Sequence, residues 1–214
     1  MKLLLVVTAL AATGSVAHAD LPAIDTADST PAPITSTHLG GRNELSVFTP
    51  FDVSFGDSHN AWGVAGFGLA LGKHVGDSLY VGAAVEEEMV VDNDNSTMHQ
   101  QTLKDRFRAA GELRWYYYNA TTTQHDDLGN PMRVPVHFSV GVRGGAQAMS
   151  LDAWGMFGDV TLGIDWDMKS MLLGVYASAG MGVIPRSEFM NDPSDVTEID
   201  VTAGLRVGWL SRAL

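Results

Sequence analysis

Apolar and polar side chains alternate with a period of two along most of residues 44–209. In the clearest stretch, residues 106–117, Leu113, Trp115 and Tyr117 fall on one side, and Arg106 and Arg108 fall on the other. This period is typical of a β-strand with two unlike faces, and no stretch of comparable length has helical periodicity. Eight segments are predicted to be strands: residues 44–55, 62–72, 79–91, 106–117, 134–148, 154–167, 171–183 and 198–209. The second is the least clear, because both of its faces are small and apolar.

The length of the segments separates two kinds of β protein. Strands of soluble proteins have about 5–6 residues. These alternations run for roughly 10–14, which is what a tilted strand needs to cross a bilayer. The sequence therefore predicts an all-β fold, an eight-stranded antiparallel up-and-down transmembrane β-barrel. An even number of strands puts both chain termini at one end, with the short turns "GKHVGDS" and "DMKS". The connection "ATTTQHDDLGNPMR" falls at the same end and is longer than such turns usually are.

The charges are predicted to face the inside of the barrel and the apolar side chains to face lipid. In the reverse arrangement, every strand would place six or seven apolar side chains in one small lumen. The polar faces also differ from a soluble surface, because they carry many small residues and few lysines. A soluble periplasmic lipocalin-like binding barrel, with an apolar lumen, is the alternative to this interpretation.

Inward charges require partners, because a charge in a low-dielectric interior persists only when it is paired. The predicted lumen charge network consists of Glu44, Glu86, Glu88, Arg106, Arg108, Glu112, Arg114, Arg143, Asp159 and Arg206. The contacts expected are Glu86 and Glu88 with Arg106 and Arg108, Glu112 with Arg143, Arg143 with Asp159, and Glu44 with Arg206. Acids outnumber arginines about two to one on these inward faces, so some acids are expected to be protonated, hydrated or near a rim. Glu87 falls on the lipid face, which a bulge or a position above the membrane would explain.

Aromatic side chains on the apolar faces gather at the ends of the strands. Trp115, Tyr117, Trp166 and Trp209 are predicted at the end that carries the termini, and Phe51, Phe55, Trp62, Phe107 and Trp154 at the other. Two such rings are expected where a barrel crosses the two membrane interfaces.

The N-terminus predicts export. Residues 1–19 form a signal peptide with an apolar core and the cleavage site Ala17-His18-Ala19. Residues 20–41 are rich in Pro, Thr and Ser and predict a flexible periplasmic tail. The barrel is assigned to residues 42–210 and a C-terminal tail to 211–214. The 214-residue chain has a net charge of −12 and no cysteine, which argues against nucleic-acid binding and excludes disulfides and thiolate metal sites.

This pattern resembles the small outer-membrane β-barrel proteins of Gram-negative bacteria, of the OmpA/OmpX type. The segment "TAGLRVGW" is similar to their terminal assembly signal through Thr202, Gly204, Val207 and Trp209, although five further residues follow it here. The resemblance implies the cell outer membrane as the location. It also implies outer-membrane lipid, including lipopolysaccharide, and the barrel assembly machinery as partners, and a monomeric state.

Two motifs were considered for chemistry. His137 and Ser139 resemble the His and Ser of outer-membrane lipid A deacylases, but the residues that follow differ, and both side chains are predicted to face the lumen. "DNDNS", residues 92–96, has acids suited to calcium but lacks the glycine that an EF-hand loop needs at its sixth position. No catalytic, cofactor or metal site is predicted.

The predicted role is therefore that of a non-enzymatic outer-membrane barrel with a structural, envelope or surface-contact function. A narrow, porin-like channel and a lipid-modifying outer-membrane enzyme are the alternatives, the enzyme being the less favoured.

Overall fold

The structure, a computed structural model, describes residues 38–56, 59–94, 101–125, 131–149, 153–184 and 196–212. It contains eight strands: β1 (Asn43–Gly56), β2 (His59–Val75), β3 (Leu79–Asp94), β4 (Gln101–His125), β5 (Pro131–Met149), β6 (Ala153–Asp167), β7 (Met171–Ile184) and β8 (Val196–Ser211). Within these ranges no helix is long and apolar enough to cross a membrane. The predicted signal peptide, most of the predicted tail and the last two residues lie outside the described residues.

The strands close into one barrel in chain order. Each strand pairs antiparallel with the next, and β1 pairs with β8 from Asn43 opposite Ser211 to Gly56 opposite Glu198. The prediction of an eight-stranded antiparallel up-and-down barrel is therefore confirmed. We call the end that holds Asn43, Ser211 and the turns 76–78 and 168–170 the terminal end, and the opposite end the distal end.

The two faces of the wall differ as the alternation predicts. Arg114 is 1% exposed in the lumen, whereas its neighbours Leu113 and Trp115 are 46% and 60% exposed on the outside. Every strand carries large apolar side chains outward, and this continuous apolar belt matches a lipid-facing surface. A lipocalin-like barrel would have the reverse arrangement, with an apolar lumen and a polar outer surface.

A bulge explains why the second segment was unclear in the sequence. The pairing of β2 with β3 shifts between Gly63 and Ala65, so one extra residue is inserted there. Trp62 and Phe67 are an odd number of residues apart, yet both are exposed on the outer face. Because a bulge exchanges the two faces of a strand, no single alternation runs through β2.

The long connection between β4 and β5 is largely strand. β4 pairs with β3 only as far as Trp115, and β5 pairs with β6 only from Val136, but β4 and β5 continue to pair as far as His125 opposite Pro131. They form a two-stranded hairpin that extends beyond the terminal end. A bulge between Tyr116 and Tyr118 lies where the hairpin leaves the barrel. The expectation of a long turn at residues 120–133 was therefore wrong for the described residues.

Candidate functional site

The lumen holds the candidate site, because the inward side chains of all eight strands meet there. Among the described residues, five arginines are buried: Arg106, Arg108, Arg114, Arg143 and Arg206. Ten buried carboxylates accompany them: Glu44, Asp52, Glu86, Glu88, Glu112, Asp159, Asp165, Asp167, Glu198 and Asp200. The ratio is two to one, so the arginines alone do not neutralise the lumen.

A distal cluster surrounds two arginines of β4. Arg106 contacts Asp52 of β1 and lies 2.5 Å from Glu88 of β3, and its Nη1 donates to Ser54 Oγ at 2.8 Å. Arg108 contacts Asp200 of β8. Its other partners are Asp52 at 3.3 Å, Glu86 at 3.4 Å and Gln147 at 3.2 Å. β1 and β8 therefore join β4 across the barrel, not along the sheet.

A second cluster lies near the middle of β5. Arg143 Nη2 donates to Asp159 Oδ2 at 2.7 Å, and its Nε lies 3.1 Å from both Asp159 oxygens. Arg143 Nη1 donates to Glu86 Oε2 at 3.1 Å, which links this cluster to the distal one. Charge-assisted bonds in more than one direction fix the guanidinium plane, so this part of the lumen is a rigid plug.

A third cluster fills the terminal half. Arg114 donates to Glu44 and to the Tyr116 hydroxyl, both at 2.9 Å, and lies 2.9 Å from Glu112; its guanidinium stacks 3.8 Å from the Tyr80 ring centre. Glu44 also lies 2.8 Å from His74 Nε2. On the other side, Arg206 donates to both oxygens of Asp165 at 2.7 Å.

Several expected contacts are present and others are replaced. Glu86 and Glu88 pair with Arg108 and Arg106, and Arg143 pairs with Asp159. Glu112 stands opposite Arg143 in the strand register, but its ion pairs are with Arg114 at 2.9 Å and Arg206 at 4.0 Å. The expected Glu44–Arg206 pair is replaced, because Arg114 and His74 take Glu44 and Asp165 takes Arg206.

Sequence reasoning missed the carboxylates that approach from across the lumen. Asp52, Asp200 and Asp165 were not in the predicted network, although each follows the inward alternation of its strand. Asp52 on β1 and Arg106 on β4 are three strands apart, so no register between neighbouring strands joins them. The available signal was the acids on the inward faces of β1, β6 and β8, together with the three arginines on the inward face of β4.

The described part of the lumen contains a small cavity between these clusters. A cavity of about 20 Å³ lies among Phe48, Tyr176, Arg143 and Arg206. Phe48 and Tyr176 pack edge to face with ring centres 6.0 Å apart. A space of this size holds about one water molecule. At this point in the described part of the lumen, the surrounding side chains leave room for no more than about one water molecule.

Residues 38–42, which we call the terminal seal, close the lumen at the terminal end. Leu39 is 1% exposed and packs with Tyr80, Tyr116, Leu172 and Leu210, which come from four different strands. The prediction of a flexible tail over residues 20–41 thus does not describe its last four residues, which are fixed against the barrel.

Hydrogen bonds hold the terminal seal in place. Gly40 N donates to Asp77 Oδ1 at 3.0 Å, and His38 Nδ1 lies 2.8 Å from Asp77 Oδ2. Gly41, with a φ of 76°, donates to the His74 carbonyl at 2.9 Å. Arg42 reaches the Lys169 carbonyl at 2.8 Å. The positive φ suits glycine, which has no Cβ to clash, and it turns the chain over the lumen.

The seal is expected to loosen in acid. The hydrogen bonds from His38 and from the Gly40 amide hold the pKa of Asp77 below its ordinary value of 3.8. A lowered pKa in the folded protein stabilises the seal above the ordinary value, and this stabilisation is lost as the pH falls through the lowered value. The amide resonance of Gly40, followed by NMR, is therefore expected to titrate with a midpoint below 3.8. In Asp77→Asn this titration should disappear, and a midpoint at or above 3.8 in the unmodified chain would contradict the assignment.

The His137–Ser139 motif does not form a site open to lipid. His137 and Ser139 are buried in the lumen at 5% and 3% exposure. His137 Nδ1 lies 2.6 Å from Asn119 Oδ1, and its Nε2 lies 3.6 Å from Asp167 Oδ2. The side chains of residues 92–96 lie outside the described residues. Among the described ones, no group of three or more His, Cys, Asp or Glu residues is placed to hold a metal ion.

The four residues of the predicted assembly signal lie on both faces of β8. Thr202 is buried, and Gly204 faces the lumen beside Tyr176, whose hydroxyl would lie 2.6 Å from an added Cβ. Val207 points outward and is partly covered, and Trp209 is 49% exposed on the outer face.

No family model matches the sequence, and no curated protein matches it. Solved structures with a similar course of the chain include Neisserial surface protein A, with 11% identity, 78% of this chain and 97% of that chain covered, and a TM-score of 0.47. The outer membrane protein OprG from Pseudomonas aeruginosa has 11% identity, coverage of 82% and 98%, and a TM-score of 0.42. Ail, the attachment invasion locus protein of Yersinia pestis, has 10% identity, coverage of 78% and 99%, and a TM-score of 0.37. By its own strand pairing and burial, the chain is a closed antiparallel barrel with an apolar outer face.

Proposed function

We propose that this protein is a non-enzymatic barrel of the cell outer membrane with a structural, envelope or surface-contact role. The observation that carries the proposal is a lumen filled by ion pairs and covered at the terminal end by Leu39. A wall that is apolar outside and a core that is charged inside suit lipid as the surrounding solvent. The terminal end, which holds both ends of the barrel, then faces the periplasm.

An enzymatic role has less support. A lipid-modifying enzyme needs its nucleophile and base within reach of lipid, with the base oriented by a third group. His137 and Ser139 are the only pair that the sequence offers for this chemistry, and they face the lumen behind the barrel wall. Their buried polar contacts favour a structural role.

A narrow cation-selective channel is the second candidate. The excess of buried carboxylates over arginines favours it, because a negatively charged passage attracts cations. Against it stands the middle of the lumen, where Arg143 and Asp159 form a bidentate pair and the cavity beside Arg143 has a volume of only about 20 Å³.

Planar-bilayer recording of the purified full-length chain separates the two candidates. We expect no steady current in neutral salt, since an ion would have to displace charge-assisted bonds held in low dielectric. Before the recording, gel electrophoresis shows whether the protein is a closed barrel. If it is, the unboiled protein migrates at a different rate from the boiled protein. A steady current with preference for cations would reject the structural proposal in favour of the channel.

A further inference from the structure

Glu87 places a carboxylate on the outer face of the barrel, within the apolar belt. Its outward neighbours along β3 are Val85 and Met89, which are 55% and 41% exposed. In the register it stands directly between Phe67 of β2 and Phe107 of β4. The pairing of β3 with β4 is unbroken from Leu79 to Asn93, so a bulge, one of the two explanations offered for Glu87, is absent from this pairing.

A cleft of about 270 Å³ opens on the outer surface beside Glu87. Its lining consists of Phe67, Leu69, Val85, Phe107, Ala109 and Trp154, together with Glu86, Glu87 and Arg108. Across the strands, Phe107 of β4 stands opposite Ala148 of β5, which stands opposite Trp154 of β6. Because the alanine between the two aromatic side chains is small, Trp154 reaches this region. The lining is therefore mostly apolar, and of its two acids Glu86 is buried in the lumen whereas Glu87 stands on the outer face.

No cation among the described residues forms an ion pair with Glu87. The nearest arginines of β4, Arg106 and Arg108, point into the lumen and are bound to acids there. The other acid nearby, Asp105, is also on the outer face, opposite Met89 of β3. A carboxylate on a lipid-facing surface carries an energetic cost unless it is paired. A ligand that carries both a cation, to pair with Glu87, and an apolar group, to contact the cleft, would therefore fit this surface.

We propose that this cleft binds a membrane lipid with a primary-amine headgroup. The ammonium group pairs with the Glu87 carboxylate, and one acyl chain lies in the cleft over Ala109. The three ammonium protons provide charge-assisted hydrogen bonds to the carboxylate, and the apolar walls bury the chain. The position between Phe67 and Phe107 places the carboxylate at the level of an aromatic ring, where headgroups and chains meet. This inference rests on the proposed location in the membrane.

Native mass spectrometry of the full-length barrel in detergent tests the proposal. The probes are phosphatidylethanolamine and phosphatidylglycerol with identical acyl chains, offered together in the presence of a chelator. We expect preferential retention of phosphatidylethanolamine. Glu87→Gln is expected to lower its retention about tenfold or more, the size expected for loss of a charge-assisted hydrogen bond. Asp105→Asn, which removes the other outward carboxylate nearby, is the matched control and should change retention less than about twofold.

A second pair of variants tests the cleft. Ala109→Leu adds three carbon atoms to the lining of the cleft and is expected to reduce retention of the lipid. Ala203→Leu adds the same atoms to the exposed outer face of β8 and should leave retention unchanged. Each variant is first shown by gel mobility to be a closed barrel, so a failure of the barrel proposal is seen separately from a failure of lipid binding.

Four outcomes would overturn the inference. Equal retention of the two lipids would show that the amine is not recognised. Unchanged retention of phosphatidylethanolamine in Glu87→Gln would show that Glu87 does not pair with the amine. If phosphatidylglycerol is retained only when both Mg²⁺ and Glu87 are present, Glu87 binds a lipid phosphate through a bridging cation, and the proposed contact with an amine is wrong. Full retention of the lipid by Ala109→Leu would show that the acyl chain does not lie in the cleft.

Discussion

Replacement of Arg106 by methionine is expected to lower the free energy of unfolding by about 3–5 kcal/mol, the range found when one partner of a buried ion pair is removed. Arg106 is 1% exposed and holds Asp52 and Glu88, which are each 2% exposed. Methionine preserves much of the volume but leaves these carboxylates without that cation. Equilibrium unfolding in urea, followed by gel mobility and tryptophan fluorescence in lipid vesicles, measures the change.

Two controls show whether orphaned charge causes the loss. Arg133→Met removes an arginine that is exposed on β5 and should change stability by less than about 0.5 kcal/mol. Adding Glu88→Gln to Arg106→Met removes one of the orphaned charges, so the double variant should be more stable than the sum of the single effects predicts. Strict additivity, or equal losses in Arg106→Met and Arg133→Met, would show that the distal cluster does not stabilise the barrel through this arginine.

The strands and their faces were predictable because a membrane barrel repeats one simple rule. Each strand must present apolar groups to lipid and polar groups to the lumen, so a period of two persists over its whole length. Contacts between neighbouring strands also followed, and Glu88–Arg106 and Arg143–Asp159 are examples. These pairs depend only on register, which alternation and the positions of the turns constrain.

Contacts across the lumen were beyond the sequence pattern. Asp52 meets Arg106, and Glu44 meets Arg114, because the wall curves and the strands are staggered around a narrow interior. Neither curvature nor stagger appears in the alternation of one strand. For the same reason, the sequence did not show that Glu44 pairs with Arg114 and Asp165 pairs with Arg206, which replaces the expected Glu44–Arg206 pair.

The terminal seal and the two bulges illustrate another limit. Leu39 is a single apolar residue beside two glycines and after a Pro- and Thr-rich stretch, so no periodicity marked it as buried. Its burial depends on a mouth formed by four strands far apart in sequence. The bulges in β2 and β4 each insert one residue, which reverses the faces without any special composition.

Gly145→Ala is expected to destabilise the barrel by about 1–3 kcal/mol, the usual cost of forcing extra atoms into a packed interior. Gly145 faces the lumen on β5, between Arg143 and Gln147. A Cβ added there would lie well inside van der Waals contact with the carbonyl oxygen of Ala109 and 2.8 Å from Cα of Ala110. Both obstacles are backbone atoms of β4, so no side-chain rotation relieves the clash. The β4–β5 pairing must shift instead.

The adjacent glycine provides a matched control for this prediction. Gly144 lies on the outer face of the same strand, and the nearest atom to an added Cβ is the Phe157 carbonyl oxygen at 3.6 Å, an ordinary contact. Gly144→Ala is therefore expected to be neutral or slightly stabilising, because alanine restricts the unfolded chain more than glycine does. Urea unfolding of both variants in the same vesicles gives the comparison. Equal stability of the two would mean that β4 and β5 are farther apart in the membrane, and the tight lumen that supports the non-conducting proposal would lose part of its support.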